Sequence, residues 1–330
     1  MAFHGGWDVH THIVPPAVLA AGERGAFGMR TESGQLTVCQ HGVPLHPISD
    51  IEKLIERLAS DQLDGAVVSV PTPLFRPDLG SRERRDYARL INDGLFDACS
   101  RHRRQLRPLA YLPVEDPDVA MSVLGHLDHQ WAGCVMGTET GTLSYASDRL
   151  NPVWEMMSAR KLPLFIHPGS TPDHRLDAFY FTNLIGNPFE TTVAAANIIF
   201  AGVLHRFPGL IIILAHGGGC LAALYGRWQR GVRTKRADIP ALEIEPQDAV
   251  RRFYVDSLVH SDAVLDMVIK VLGEDQILLG SDWPFPMGAP NADHDLGRLE
   301  QKLKMKIRKL NAQRAFGSRL ETGERTHETP

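Results

Sequence analysis

The run Trp7-Asp8-Val9-His10-Thr11-His12 sets two imidazoles two residues apart. Side chains alternate faces along a strand, so His10 and His12 share one face, about 6–7 Å apart. Two imidazoles at the end of a buried strand can hold one divalent ion together. Such an ion polarises a substrate or lowers the pKa of a bound water to about 7. Paired histidines near an N-terminus also occur as surface residues or core hydrogen-bond partners, so the reading depends on ligands elsewhere. Three further residues supply the test: His167 closes Leu164-Phe165-Ile166-His167, His216 precedes Gly217-Gly218-Gly219, and Asp282 stands in Gly280-Ser281-Asp282-Trp283-Pro284. Singly, each has a plain account, a satisfied core histidine or an aspartate capping a turn. Together they put histidine and aspartate at the ends of four strands, and a joint metal site explains that better than chance.

The elements that must position these residues are legible as short apolar runs at 7–12, 65–70, 108–113, 133–137, 163–167, 210–216, 252–256 and 276–281. Amphipathic stretches of helical length separate them, at 51–62, 82–102, 119–129, 152–160, 188–206 and 262–272. Strands alternating with helices imply parallel pairing with right-handed crossovers. Runs such as Ile211-Ile212-Ile213-Leu214 read as strands buried on both faces. The fold expected is an α/β (β/α)8 TIM barrel, whose active sites lie at the C-terminal strand ends. An open doubly wound sheet is the weaker choice, because no G-x-G-x-x-G follows the first strand. Residues 1–317 are expected to form one barrel domain, with a small β-hairpin insertion at about 24–47 laid over the mouth and a disordered tail at 318–330.

Composition bounds the function. With 330 residues, 43% hydrophobic, 22% charged and a formal net charge of −4, the chain suits a soluble globular enzyme. No basic stripe interleaved with aromatics appears, which excludes nucleic acid as the expected partner. No apolar run is long enough to span a bilayer. The N-terminus lacks a basic segment followed by an apolar run, and the four cysteines (Cys39, Cys99, Cys134, Cys220) are scattered without a CxxC pair. Both features point to a reducing cytoplasm.

The motifs Asp8-x-His10-x-His12, His167-Pro168, His216-Gly217-Gly218-Gly219 and Gly280-Ser281-Asp282-Trp283-Pro284-Phe285-Pro286 resemble the amidohydrolase superfamily. Within it they are similar to the metal-dependent decarboxylases typified by 2-amino-3-carboxymuconate-6-semialdehyde decarboxylase. The resemblance covers almost the whole chain and is densest from 207 to 286. It implies that His10, His12, His167 and Asp282 are the metal ligands and that His216 is the catalytic, proton-moving histidine. The ion implied is zinc, one per subunit, with manganese as the alternative. Arg227, eleven residues after His216, matches an arginine that reaches a neighbouring subunit's substrate carboxylate, implying a homodimer. Two-metal relatives carry a lysine at the end of strand four. Here that end reads Gly137-Thr138-Glu139, so one ion is the simpler reading.

Two departures bear on the substrate. The lid arginine of the named decarboxylase falls on Gly42, leaving His41, His46 and Arg30 to stand in, and the tryptophan after His167-Pro168 is replaced by Gly169-Ser170. Phe179-Tyr180-Phe181 and Phe189 are candidates to wall the pocket and Trp283 to stack on a flat substrate, with core packing as the competing account. No role falls to His174, His260 or His294. The expected activity is non-oxidative decarboxylation of a small aromatic or unsaturated carboxylic acid. The alternative is hydrolysis of a lactone, cyclic amide or similar ring at the same site, with Asp282 moving the proton and His216 stabilising the oxyanion.

Overall fold

The computed structural model describes residues 5–321. Eight strands carry the barrel: β1 (Trp7–His12), β5 (Gly65–Ser69), β6 (Leu106–Tyr111), β7 (Gly133–Met136), β8 (Leu164–Ile166), β9 (Ile212–Leu214), β10 (Phe253–Asp256) and β11 (Ile277–Leu278). They pair in that order, every pair parallel, with helices on the outside. The seam is joined by backbone bonds between β1 and the segment after β11: Val9 N–H to Leu279 O (2.9 Å), Asp282 N–H to His10 O (2.8 Å) and His12 N–H to Trp283 O (2.8 Å). The expected (β/α)8 barrel is therefore the observed one.

Local chemistry accounts for the helices that hold the strands apart. Asp50 caps Ile51–Ser60 by accepting from the Glu52 N–H, and Leu54 and Leu58, four apart, give that helix its buried stripe. Asp116 caps Pro117–His126 in the same way, with proline in the first turn where its missing N–H is harmless.

Three features differ from the sequence reading. The insertion is a three-stranded antiparallel sheet, β2 (Met29–Glu32), β3 (Gln35–Val38) and β4 (His41–Pro44), where a two-stranded hairpin was expected. The extra strand buries only Val43, and a proline at its end suits an edge, so its sequence carries little β signal. Met29, Leu36, Val38 and Val43 join the main core, so the insertion is packed down. Second, the turn Gly317–Leu320 crosses the tail boundary set at 318: Leu320 is buried, and Arg107 donates to the carbonyls of Arg319 and Glu321. Residues 322–330 lie outside the described residues.

The third difference lies inside β1. Its pairing with β5 shifts register between Asp8 and Thr11, a bulge. Strict alternation would send Trp7 and Val9 to one face and His10 and His12 to the other. Val9 packs with Val67 and Phe165 in the barrel interior, and the His10 ring meets that same Phe165 at 4.9 Å. Consecutive residues thus both turn inward, which is what one extra residue in a strand accomplishes.

Candidate metal centre

Each candidate ligand sits where a strand runs out at the rim. His10 and His12 end β1, His167 follows β8, and Asp282 lies four residues beyond β11. Their ligand atoms all lie within 4.8 Å of one another, and all four residues are buried. In each imidazole Nδ1 is taken by the protein: His10 by Asp256 Oδ2 (2.7 Å), His12 by Ser69 Oγ (3.0 Å) and Val70 O (3.3 Å), His167 by Pro168 O (2.9 Å). That leaves Nε2 of all three, together with Asp282 Oδ1, buried without a hydrogen-bond partner. Asp282 Oδ1 approaches His12 Nε2 at 3.0 Å and His10 Nε2 at 3.2 Å. Buried polar atoms are almost always satisfied, so four converging orphans fit a divalent ion. Histidines fixed through the opposite nitrogen are what metal ligation requires.

The charges agree. Burial pushes the His12 and His167 imidazoles toward their neutral, ligating form, and His167 falls well below the ordinary histidine range. For His10 burial acts the same way but is outweighed by Asp282 and Asp256, which lift it to about 10. Burial would raise Asp282, yet the imidazoles of His10, His12 and His216 hold its carboxyl well below the usual range, so it stays anionic.

His216 lies beside this group with Nε2 3.7 Å from Asp282 Oδ2, its side chain 17% exposed and Nδ1 without a partner. Both His216 (φ +55°) and Asp282 (φ +59°) occupy the left-handed region, which non-glycine side chains resist. The three glycines after His216 all have positive φ; at Gly219 a Cβ would lie 2.1 Å from Pro188 O, so only glycine lets the turn close on the helix Asn187–Phe200. One carboxylate locks this arrangement. Asp256 Oδ2 accepts from His10 Nδ1 and the His216 N–H (2.9 Å), while Oδ1 accepts from the N–H groups of Gly217 (2.8 Å) and Leu258 (3.2 Å). Asp8 does similar work at the other end, accepting from Ser281 Oγ (2.5 Å) and the Ser281 N–H (3.0 Å) next to Asp282.

An amidohydrolase family profile matches residues 7–318 of the chain. The chain belongs to the amidohydrolase family. Among characterised relatives, 2-amino-3-carboxymuconate-6-semialdehyde decarboxylase of Dictyostelium discoideum is 28% identical, over 85% of this chain and 82% of that protein. Gamma-resorcylate decarboxylase of Rhodococcus jostii is 25% identical, over 81% and 88%. A dihydroxybenzoic acid decarboxylase from Polaromonas sp. JS666, solved with bound manganese and the inhibitor 2-nitroresorcinol, superposes with a TM-score of 0.76 at 20% identity, covering 96% of this chain and 98% of that one.

In this amidohydrolase a cleft of about 260 Å³ opens on His216 and Asp282, with Gly219, Leu258 and His260 among its walls. The remaining residues singled out from sequence fall elsewhere. Arg227 is exposed on the helix Leu221–Arg233. His41 is exposed at the start of β4. Phe179 is 83% exposed, and Trp283 is buried at the barrel seam. None of the four lines the cleft. Glu139 accepts from Ser170 Oγ (2.8 Å) and stands outside the ligand group. Asp256 was missed, although a carboxylate closing the otherwise apolar Phe253–Asp256 was a signal that could have found it. Among the described residues, no helix is long and apolar enough to cross a membrane.

Proposed function

We propose that this amidohydrolase is a metal-dependent non-oxidative decarboxylase of a small aromatic carboxylic acid. The observation that carries the reading is His216, an imidazole on the cleft wall next to the ligand group, with Nε2 3.7 Å from Asp282 and Nδ1 without a partner. His10, His12, His167 and Asp282 would hold one divalent ion, which anchors and polarises the oxygen substituents of the acid. Three nitrogens and one carboxylate oxygen suit zinc, with manganese as the alternative. Glu139, engaged by Ser170, supports a single ion.

His216 moves the proton. An imidazole titrates near neutrality and can both give and recover one. The ring carbon bearing the carboxylate takes a proton from His216. The bond from that carbon to the carboxylate then breaks, carbon dioxide leaves, and the electron pair restores the aromatic ring. His216 is reprotonated from solvent, to which its side chain is partly open. Asp256 keeps the His216 turn and the His10 ring in place throughout. A cleft of about 260 Å³, below the usual 300–1,000 Å³ range of ligand sites, favours a single-ring acid.

The protein is further proposed to act as a homodimer, with Arg227 reaching the carboxylate bound in the neighbouring subunit. Phe179, Tyr180, Leu184, Ile185 and Phe189 leave a large apolar surface exposed beside the cleft, and such surfaces mark association sites. Four unpaired cysteines favour the cytoplasm.

A mass-spectrometric screen of the metal-loaded protein against gamma-resorcylate, hydroxypyridine carboxylates, lactones and cyclic amides tests the activity. Loss of carbon dioxide from an acid is expected. Gain of water by a lactone or amide, with no acid consumed, would overturn the reading.

A further inference from the structure

We infer that His260 is a second polar anchor of the substrate, binding the carboxylate of the ring acid from the wall of the cleft. The inference rests on the decarboxylase reading above and concerns which of this chain's own side chains recognises the acid.

A carboxylate drawn into a mostly apolar cleft must recover the hydrogen bonds it gives up to water. The walls hold no arginine or lysine among the described residues. Besides His216 and Asp282, the one titratable side chain there is His260. It is exposed, and no hydrogen bond, ion pair or ring contact occupies it. A neutral imidazole has one N–H to donate and a protonated one has two, so it can serve a carboxylate in either state.

The backbone presents His260 deliberately. Its φ is +56°, left-handed like those of His216 and Asp282, and a non-glycine residue keeps such a conformation only when its surroundings impose it. The loop leading to it is fixed at Leu258, whose N–H donates to the same Asp256 carboxylate that holds the His216 and Gly217 N–H groups. It is also pressed against the catalytic turn: a Cβ on Gly217 would lie 2.3 Å from Val259 Cγ1. One buried carboxylate and one close contact thus set the two cleft imidazoles at a defined separation, one beside the ligand group and one free.

The test compares an acid with its decarboxylated counterpart. Binding of gamma-resorcylate and of resorcinol to the metal-loaded wild type, His260→Ala and His260→Gln is measured by rapid mixing, before carbon dioxide is released, with ion content checked in each. Loss of one hydrogen bond to a charged group is expected to weaken gamma-resorcylate binding about tenfold in His260→Ala, with resorcinol binding unchanged. His260→Gln, which keeps an N–H donor, should recover part of the loss. Equal acid binding in wild type and His260→Ala overturns the proposal, as does an equal weakening of both ligands, which signals general damage. Acid discrimination that depends on His260 without any release of carbon dioxide would support this role and count against the decarboxylase reading alone.

Discussion

At the floor of the barrel, Trp7, Val9, Leu109, Phe165 and Ile213 close on Ala312, Phe316 and Leu320. Even the buried charge there is provided for: Arg107 donates through Nε, Nη1 and Nη2 to three carbonyls, and its guanidinium lies over the Trp7 ring. At the rim the same strands end in three imidazole nitrogens and a carboxylate oxygen that converge on one another and make no hydrogen bond. His216 and Asp282 adopt backbone conformations that cost on the order of 1–3 kcal/mol each. Each unsatisfied polar atom costs a further 1–3 kcal/mol or so. The floor therefore supplies stability and the rim consumes it, which is the pattern expected where geometry serves chemistry. Removing a rim side chain should then abolish activity while sparing the fold, and removing a floor side chain should do the reverse.

The sharpest way to break that contrast is to delete a ligand. His12→Ala and Asp282→Ala are expected to purify without a bound ion and to turn over no faster than background, by elemental analysis and carbon dioxide release. The unfolding midpoint of His12→Ala should stay near that of the metal-stripped wild type, because it removes an unsatisfied buried atom, whereas that of Asp282→Ala should fall below it, because the anion paired with His10 is lost. A His12→Ala midpoint well below it would mean that the rim is part of the stabilising core. Next in size is His216→Ala, where loss of the proton donor should lower kcat by about 10²–10⁴-fold. Its ion content should match the wild type, which separates proton transfer from ion binding. Full turnover by this variant would remove the basis of the mechanism.

The rim was legible in the sequence because its chemistry rests on residue types that strands rarely end in by accident. His10, His12, His167, His216 and Asp282 could be assembled from spacing and strand ends alone, and the bulge in β1, which turns Val9 and His10 both inward, leaves His10 and His12 on one face. What escaped was support. Asp256 touches no candidate substrate position and carries no motif, and its importance comes from four contacts that only the fold brings together. His260 escaped likewise, because cleft walls are set by loops whose course no periodicity describes. Asp256→Asn tests how much that support matters. It keeps the shape but weakens the acceptor for His10 Nδ1 and the His216 N–H, and is expected to lower ion affinity about 10–100-fold. An ion affinity equal to wild type would show that His10 is oriented by packing alone.

The smallest effect on turnover, and the largest on stability, should come from the floor. Phe316 is buried in the helix Asn311–Phe316 that plugs the barrel. Truncation to alanine leaves a cavity that a rigid ring of strands cannot collapse into, at a cost of about 3–5 kcal/mol. Urea unfolding should register that loss, while turnover per folded molecule and ion content stay at wild-type values. The two regions touch at Phe165, which belongs to the floor cluster and whose ring meets His10 at 4.9 Å. If Phe316→Ala also released the ion, the damage must travel through that ring, and floor and rim would be one cooperative unit. Retention of the ion would instead show that the hydrogen bond from His10 Nδ1 to Asp256, 2.7 Å long and wholly buried, holds the imidazole independently of the packing beneath it.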